Sequence, residues 1–255
     1  VFIAEICIFG YNEHMKLVTW NVNGIRAAIK KGFYEYIDKR NPDVICLQET
    51  KLSRNVVSPE ISGYYSFYND AERNGYSGTA IFSKTEPLSV EYGDDTEGRL
   101  VIAEFLKFYV VTAYAPNSGR GMDRKSEWNE YFINRMKALD ERKPLMISGD
   151  LNAALTPLDV WSENLEGTAG YTKEERADMA RLISSGFTDV YRYLYRDGKD
   201  YSWWSYMNNA KEKDQGMRID YWLTSDRIRN RINTIIIDRS ESASDHAPLL
   251  MDIAY

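Results

Sequence analysis

Histidine and cysteine are nearly missing from this chain of 255 residues, with two of each. So few soft ligands exclude a disulfide framework and a zinc site built from clustered Cys and His. Cys46, inside the apolar run Val44-Ile45-Cys46-Leu47, reads as a small core residue. Long hydrophobic runs are lacking too. The apolar stretch Val1 to His14 contains Glu5 and has no basic start. It reads neither as a signal peptide nor, at that length, as a membrane span, so a reducing cytoplasm is expected. Nor is there a basic excess. At a net charge of −6, a polyanionic partner must be met by a local basic patch and a bound cation.

What is present suits a soluble domain. Hydrophobic residues at 44% and charged residues at 27% allow one large core with an ordinary surface. No repeat, low-complexity tract or linker divides the chain. Met15 reads as the natural start of a single domain over 15–255, with 1–14 an extension of no assigned role. Alternating β-rich stretches predict strands at Lys16–Val22, Asp43–Gln48, Tyr64–Tyr68, Gly78–Ser83, Leu88–Tyr92, Leu100–Phe105, Phe108–Ala115, Leu145–Ser148, Ile219–Thr224, Thr234–Ile237 and Leu249–Ile253. Amphipathic periodicity and stop signals predict helices at Phe33–Arg40, Arg124–Arg142 and Lys173–Ser184. Many strands with helices between and after them imply an α/β layered sandwich of two sheets with helices outside.

Polar clusters fall at the strand ends: Asn21, Gln48-Glu49, Tyr114, Asp150-Leu151-Asn152, Asp220 and Ser244-Asp245-His246. Taken singly, each has an ordinary explanation. Glu49 reads as a helix-start or surface carboxylate, and Asp150 as an Asx turn after Gly149. Together they suggest one pocket of carboxylates, carboxamides and a single imidazole. Oxygen donors of this kind suit Mg²⁺, with Mn²⁺ as a substitute. A cation among them would polarise a phosphoryl group, and the set points to phosphodiester hydrolysis. Adjacent Asp245 and His246 point apart along an extended strand. Asp189 or Asp220 is therefore the candidate carboxylate for fixing the His246 tautomer.

In these residues the chain resembles the exonuclease III family of apurinic/apyrimidinic endonucleases, within the endonuclease–exonuclease–phosphatase superfamily. The resemblance rests on Thr19-Trp20-Asn21-Val22-Asn23-Gly24-Ile25-Arg26, Leu47-Gln48-Glu49-Thr50-Lys51, Gly75-Tyr76-Ser77-Gly78, Tyr114-Ala115-Pro116-Asn117, Gly149-Asp150-Leu151-Asn152, Arg218-Ile219-Asp220-Tyr221 and Ser244-Asp245-His246-Ala247-Pro248. It implies a four-layered αββα sandwich with two mixed β-sheets flanked by helices. Glu49 would be the principal metal ligand, with Asn21, Asn23 and Asp245 near the metal. Asp150 and Asn152 would position and activate water, His246 would contact the scissile phosphate, and Asp220 would support it. Tyr114 would supply a phenol near the phosphate.

The implied reaction is Mg²⁺-dependent cleavage 5′ to abasic sites, with 3′→5′ exonuclease and 3′-end trimming as companions. The implied partner is double-stranded DNA with abasic sites or damaged 3′ ends. No membrane is involved, a monomer is expected, and a prokaryotic protein would associate with the nucleoid.

The same resemblance implies DNA contacts from Arg120 and Met207, with Trp203 and Ile219 walling the pocket; Arg26, Lys211 and Arg218 are candidate DNA contacts from the local basic groups they belong to. Three basic groups, Arg26/Lys30/Lys31, Arg120/Arg124/Lys125 and Lys211/Lys213/Arg218, would offset the acidic total. Met217 stands where relatives often carry Trp, and the loop after Asn152, an Asn-bearing polar stretch in relatives, here carries Trp161, Glu163 and Glu166 around Asn164. These departures leave open a change of substrate to RNA, a nucleotide or another phosphodiester. A DNA-binding module without catalysis is the third alternative, and the retained carboxylates and His246 speak against it.

Overall fold

The computed structural model describes residues 14–53 and 57–254. Expectations about 1–13, Cys7 included, lie outside the described residues. In chain order the elements are β1 (His14–Asn21), α1 (Ile25–Ile29), α2 (Phe33–Arg40), β2 (Val44–Gln48), β3 (Tyr65–Asn69), β4 (Thr79–Ser83), β5 (Ser89–Tyr92), β6 (Leu100–Glu104), β7 (Tyr109–Tyr114), α3 (Met122–Asp140), β8 (Leu145–Asp150), α4 (Lys173–Ser184), β9 (Phe187–Asp189), α5 (Val190–Leu194), β10 (Trp203–Trp204), β11 (Gly216–Met217), β12 (Asp220–Ser225), β13 (Ile232–Ile237) and β14 (Leu249–Ala254).

Two six-stranded sheets form, ordered β13-β14-β1-β2-β4-β3 and β5-β6-β7-β8-β12-β9. Each is mixed, with a central parallel pair, β1 with β2 and β7 with β8. Period-two alternation sorts the side chains into layers. Leu17 and Cys46 face the opposite sheet and meet Val101, Val110 and Met146. Val18, Trp20, Ile45 and Leu47 face outward onto Ile25, Phe33 and Ile37 of α1 and α2. On the other side, Ile102, Val111 and Ile147 pack beneath Trp128 and Phe132 of α3 and Met179 and Leu182 of α4. The result is the expected helix–sheet–sheet–helix sandwich. Among the described residues no helix is long and apolar enough to cross a membrane.

Local chemistry explains the helix ends. Asn41 takes a left-handed conformation at φ 47° and stops α2 before Pro42. Thr172 and Glu175 exchange side-chain and backbone bonds in a capping box that starts α4.

Register brings the polar strand ends together. Asn21 pairs with Gln48 across the parallel strands of one sheet, and Tyr114 with Asp150 across those of the other. Asp220, the first residue of antiparallel β12, lies opposite Asp150. Gln48 itself turns inward. Its Nε2 donates to Thr19 Oγ1 at 2.9 Å and Thr112 Oγ1 at 2.8 Å, bridging the sheets. Just before Asp150, Gly149 sits at φ 138°, and a Cβ there would meet the Ala113 carbonyl oxygen at 1.9 Å. Gly149→Ala is therefore expected to cost about 3 kcal/mol of stability through strain and overpacking, measured by urea unfolding. A cost below about 1 kcal/mol would mean the strands part easily here.

Candidate active site

The site lies where β1, β2, β7 and β8 end and β12 begins. Glu49, Asp150 and His246 bring one donor atom each within 4.8 Å of one another. Asn21, fully buried, braces the two carboxylates: its Nδ2 donates to Glu49 Oε1 at 3.0 Å and to Asp150 Oδ2 at 2.9 Å. Its Oδ1 accepts from the Asn23 N–H at 3.0 Å. Asn23, Glu49 and Asn152 all adopt left-handed backbone, at φ 47°, 51° and 50°. Such a conformation costs a non-glycine residue about 1 kcal/mol or more, so surrounding bonds must hold it. For Glu49 they are visible. Its carbonyl accepts from Gly24 N–H at 2.7 Å, and the next two N–H groups donate to the Gly78 and Ser77 carbonyls at 3.1 and 2.9 Å.

Electrostatics separate the roles. Burial pushes the Glu49 pKa up, but Lys51 and Asn21 outweigh it and hold the carboxyl below its usual range. Burial raises Asp150, and the neighbouring Asp220 charge raises it further. His246 Nδ1 lies 2.8 Å from Asp220 Oδ2, and its Nε2 3.9 Å from Asp150 Oδ2. Burial alone would lower the His246 pKa. The Asp220 and Asp150 carboxylates reverse this and push it up to about 10. The shift favours the protonated ring, with Nε2 turned towards Asp150 and the pocket. Of the two candidates for its partner, Asp220 takes the part; Asp189 bonds Arg218 instead. Burial and the Glu49 and Asp150 charges raise the Tyr114 pKa, so the phenol keeps its proton.

Asp245 lies in a bend rather than the expected extended strand, and its carboxylate is engaged away from the His246 ring. Its Oδ1 accepts from Asn23 Nδ2 at 2.9 Å and its Oδ2 from Trp203 Nε1 at 3.1 Å. The pocket's oxygens suit a hard cation, and one charge already tests them. The Lys51 ammonium lies 2.9 Å from Glu49 Oε2 and also bonds the Asn23 carboxamide oxygen. Asn152 is fixed from three sides: its N–H donates to Asp150 Oδ1 at 2.9 Å, its Nδ2 to the Ala115 carbonyl at 3.0 Å, and its Oδ1 accepts from Asn117 Nδ2 at 3.0 Å.

Around this centre Arg26 and Arg120 are exposed, and Met207 is 71% exposed beside the equally open Tyr206. Ile219 and Met217 are buried with Ala154, Val160 and Tyr171, and the half-buried Trp203 closes this apolar wall. The divergent loop joins the wall through Val160, bridged to Met217, and leaves Trp161, Glu163 and Glu166 exposed. Lys211 is partly buried, with its ammonium on the Glu241 carbonyl and 5.3 Å over the Trp204 ring.

Two basic residues are not where the sequence suggested. Arg218, expected at DNA, is 1% exposed and bonds Asp159 Oδ1 and Asp189 Oδ2 at 2.8 Å each. Its charge is consumed inside the protein. Lys125, grouped with Arg120 and Arg124 as a basic surface, is fully buried against Glu175. Arg218→Met would leave Asp189 without its cation, while Asp159 keeps Arg192, so stability should fall by about 3 kcal/mol in urea unfolding. Unchanged stability with weaker DNA binding would restore the phosphate role.

Asn117, Lys51 and Ser202 also belong to the site but were not singled out. The first two stood inside quoted motifs. Ser202 had no signal: its buried hydroxyl donates to Asp220 Oδ2 at 2.6 Å and accepts from the Asp220 N–H at 3.0 Å.

The chain is similar to known proteins along most of its length. The Endonuclease/Exonuclease/phosphatase family model matches residues 18–246. The exodeoxyribonuclease of Bacillus subtilis is 39% identical over 246 residues, covering 92% of this chain and 98% of that protein. The DNA repair nuclease APEX1 of Danio rerio is 39% identical over 264 residues, covering 96% and 84%. The crystal structure of AP endonuclease LMAP from Leishmania major superposes with a TM-score of 0.86 at 26% identity, covering 95% of this chain and 88% of that one. The chain belongs to the endonuclease/exonuclease/phosphatase family and, within it, to the exonuclease III and AP endonuclease branch of phosphodiester hydrolases.

Proposed function

We propose that this protein is a Mg²⁺-dependent DNA-repair nuclease that hydrolyses the backbone of duplex DNA on the 5′ side of abasic sites, leaving a 3′-hydroxyl, and that the same centre trims 3′ ends. The observation that carries the reading is the buried His246 ring, its Nδ1 2.8 Å from Asp220 Oδ2 and its Nε2 3.9 Å from Asp150 Oδ2, beside Glu49. Glu49 would hold the cation, with Asp245 and the Asn23 oxygen on the same rim. Bound there, Mg²⁺ would neutralise charge on the phosphoryl oxygens. His246, oriented by Asp220, would donate Nε2–H to a non-bridging phosphate oxygen. Asp150, with its raised affinity for protons, takes one from the attacking water or gives one to the leaving oxygen. Asn152 orients that water, and the Tyr114 phenol donates to the phosphate.

Arg26 and Arg120 would hold flanking phosphates, and Met207 would wedge the minor groove. An abasic nucleotide has no base to unstack, so turning it against Trp203 and Ile219 costs less than flipping an intact one. The altered loop after Asn152, with Trp161, Glu163 and Glu166 exposed, motivates RNA or another phosphodiester as a second reading. A panel of abasic, intact and nicked duplexes and RNA, incubated with Mg²⁺, decides. The abasic duplex should be cut fastest, at one position. Equal or faster turnover of RNA would favour the second reading.

A further inference from the structure

Lysine is almost never fully buried without a strong reason, yet Lys125 of α3 has no exposed surface. Its directed hydrogen bonds go to backbone carbonyls. Nζ donates to the Leu151 carbonyl at 3.1 Å and to the Asn152 carbonyl at 2.6 Å. Glu175 Oε1 lies 3.2 Å away but accepts no aligned hydrogen bond. The other oxygen, Oε2, accepts from the Gly170 and Thr172 N–H groups at 2.9 and 3.0 Å. The carboxylate balances the charge and ties down the loop before α4, while the ammonium grips the turn after β8.

Stability alone does not explain such a pair. Desolvating two ions costs about as much as their attraction returns, and apolar replacements of similar volume are often neutral. The turn needs holding, since Asn152 sits at φ 50° with successive carbonyls aimed at one donor.

We infer that Lys125 is a positioning residue: its two hydrogen bonds to the carbonyls of residues 151 and 152 fix the left-handed turn that aims the Asn152 carboxamide into the active site. This rests on the nuclease reading above. Lys125→Met with Glu175→Gln removes both charges at nearly constant volume, and the Gln oxygen still accepts from Gly170 and Thr172. In that double variant the single-turnover rate on an abasic duplex should fall at least tenfold, with metal-free affinity for the duplex within threefold of wild type. In an Asn152→Ala background the same two changes should slow cleavage less than threefold, because the group they aim is gone.

Glu175→Gln alone leaves Lys125 two N–H donors for the carbonyls, charged or neutral. It should keep the rate within threefold, and it carries the test if the double variant does not fold. Amide hydrogen exchange at Asn152 should accelerate tenfold or more in the double variant while Ile147 in mid-strand is unchanged. An active wild type with an equally fast double variant, an equal loss in the Asn152→Ala background, or a tenfold loss from Glu175→Gln alone overturns the inference. A wild type that leaves abasic DNA uncut overturns the nuclease reading instead, and the exchange experiment still decides whether Lys125 holds the turn.

Discussion

Asp150→Asn is expected to slow single-turnover cleavage by about two to four orders of magnitude, the range general acid–base catalysis supplies. That is roughly 3–5 kcal/mol of barrier at 1.36 kcal/mol per decade. The substitution is nearly isosteric, and an asparagine oxygen still accepts from the Asn152 N–H, so the turn survives. What it loses is the proton-accepting carboxylate. Asp150 is 2% exposed, and burial beside Asp220 raises its proton affinity towards the neutral range, where a catalytic group can both take and return a proton. Its Oδ2 also faces His246 Nε2 and the Asn21 carboxamide, so the proton moves within an organised set of partners. The check is the single-turnover rate on a labelled abasic duplex, with thermal unfolding in parallel. A rate within tenfold of wild type, in a protein of normal stability, would remove Asp150 from the proton path.

Asp220→Asn should have the second large effect, and its sign depends on pH. In the wild type, Asp220 and Asp150 together outweigh burial and push the His246 pKa up to about 10. Without the Asp220 charge, burial has less to oppose it, and the imidazole pKa falls. The variant should lose a hundredfold or more in rate near pH 8, and less near pH 6, where the ring still gains its proton. The stability linkage has the same origin. A raised folded pKa contributes stability that is complete below the unfolded value of about 6.5 and lost as pH rises through the folded value. The His246 ring titration can be followed directly in an NMR pH series. A His246 titration unchanged by Asp220→Asn would contradict the assignment.

Much of the fold could be read from local sequence where a strong local signal existed. The helix expected at Lys173–Ser184 forms with those bounds because Thr172 and Glu175 cap it and Gly186 follows. The helix at Phe33–Arg40 likewise ends where Asn41-Pro42 demands. The short helices Ile25–Ile29 and Val190–Leu194 went unseen; at five residues each, neither completes two turns of periodicity. The strand Phe187–Asp189 was missed for the same reason, as three residues carry no alternation.

In the site, residues were identifiable where chemistry is rare along the chain, as with the lone core histidine and the Asp-x-Asn turn. Direction was harder to read. Lys125 looked like part of a basic surface, but it shares the spacing of Trp128, Phe132, Met136 and Leu139, all buried on one stripe of α3. That position on the apolar stripe was the overlooked signal. Arg218 offered no such cue, because its partners Asp159 and Asp189 are remote in sequence and only the fold brings them together.

The most direct test of the central claim uses a duplex with one tetrahydrofuran abasic analogue, which has no aldehyde and so cannot be cut by elimination. The account predicts a single Mg²⁺-dependent cut on the 5′ side of the analogue, leaving a 3′-hydroxyl, abolished by chelation and by Glu49→Ala. An uncut duplex, or cleavage that persists in Glu49→Ala without added metal, would contradict it.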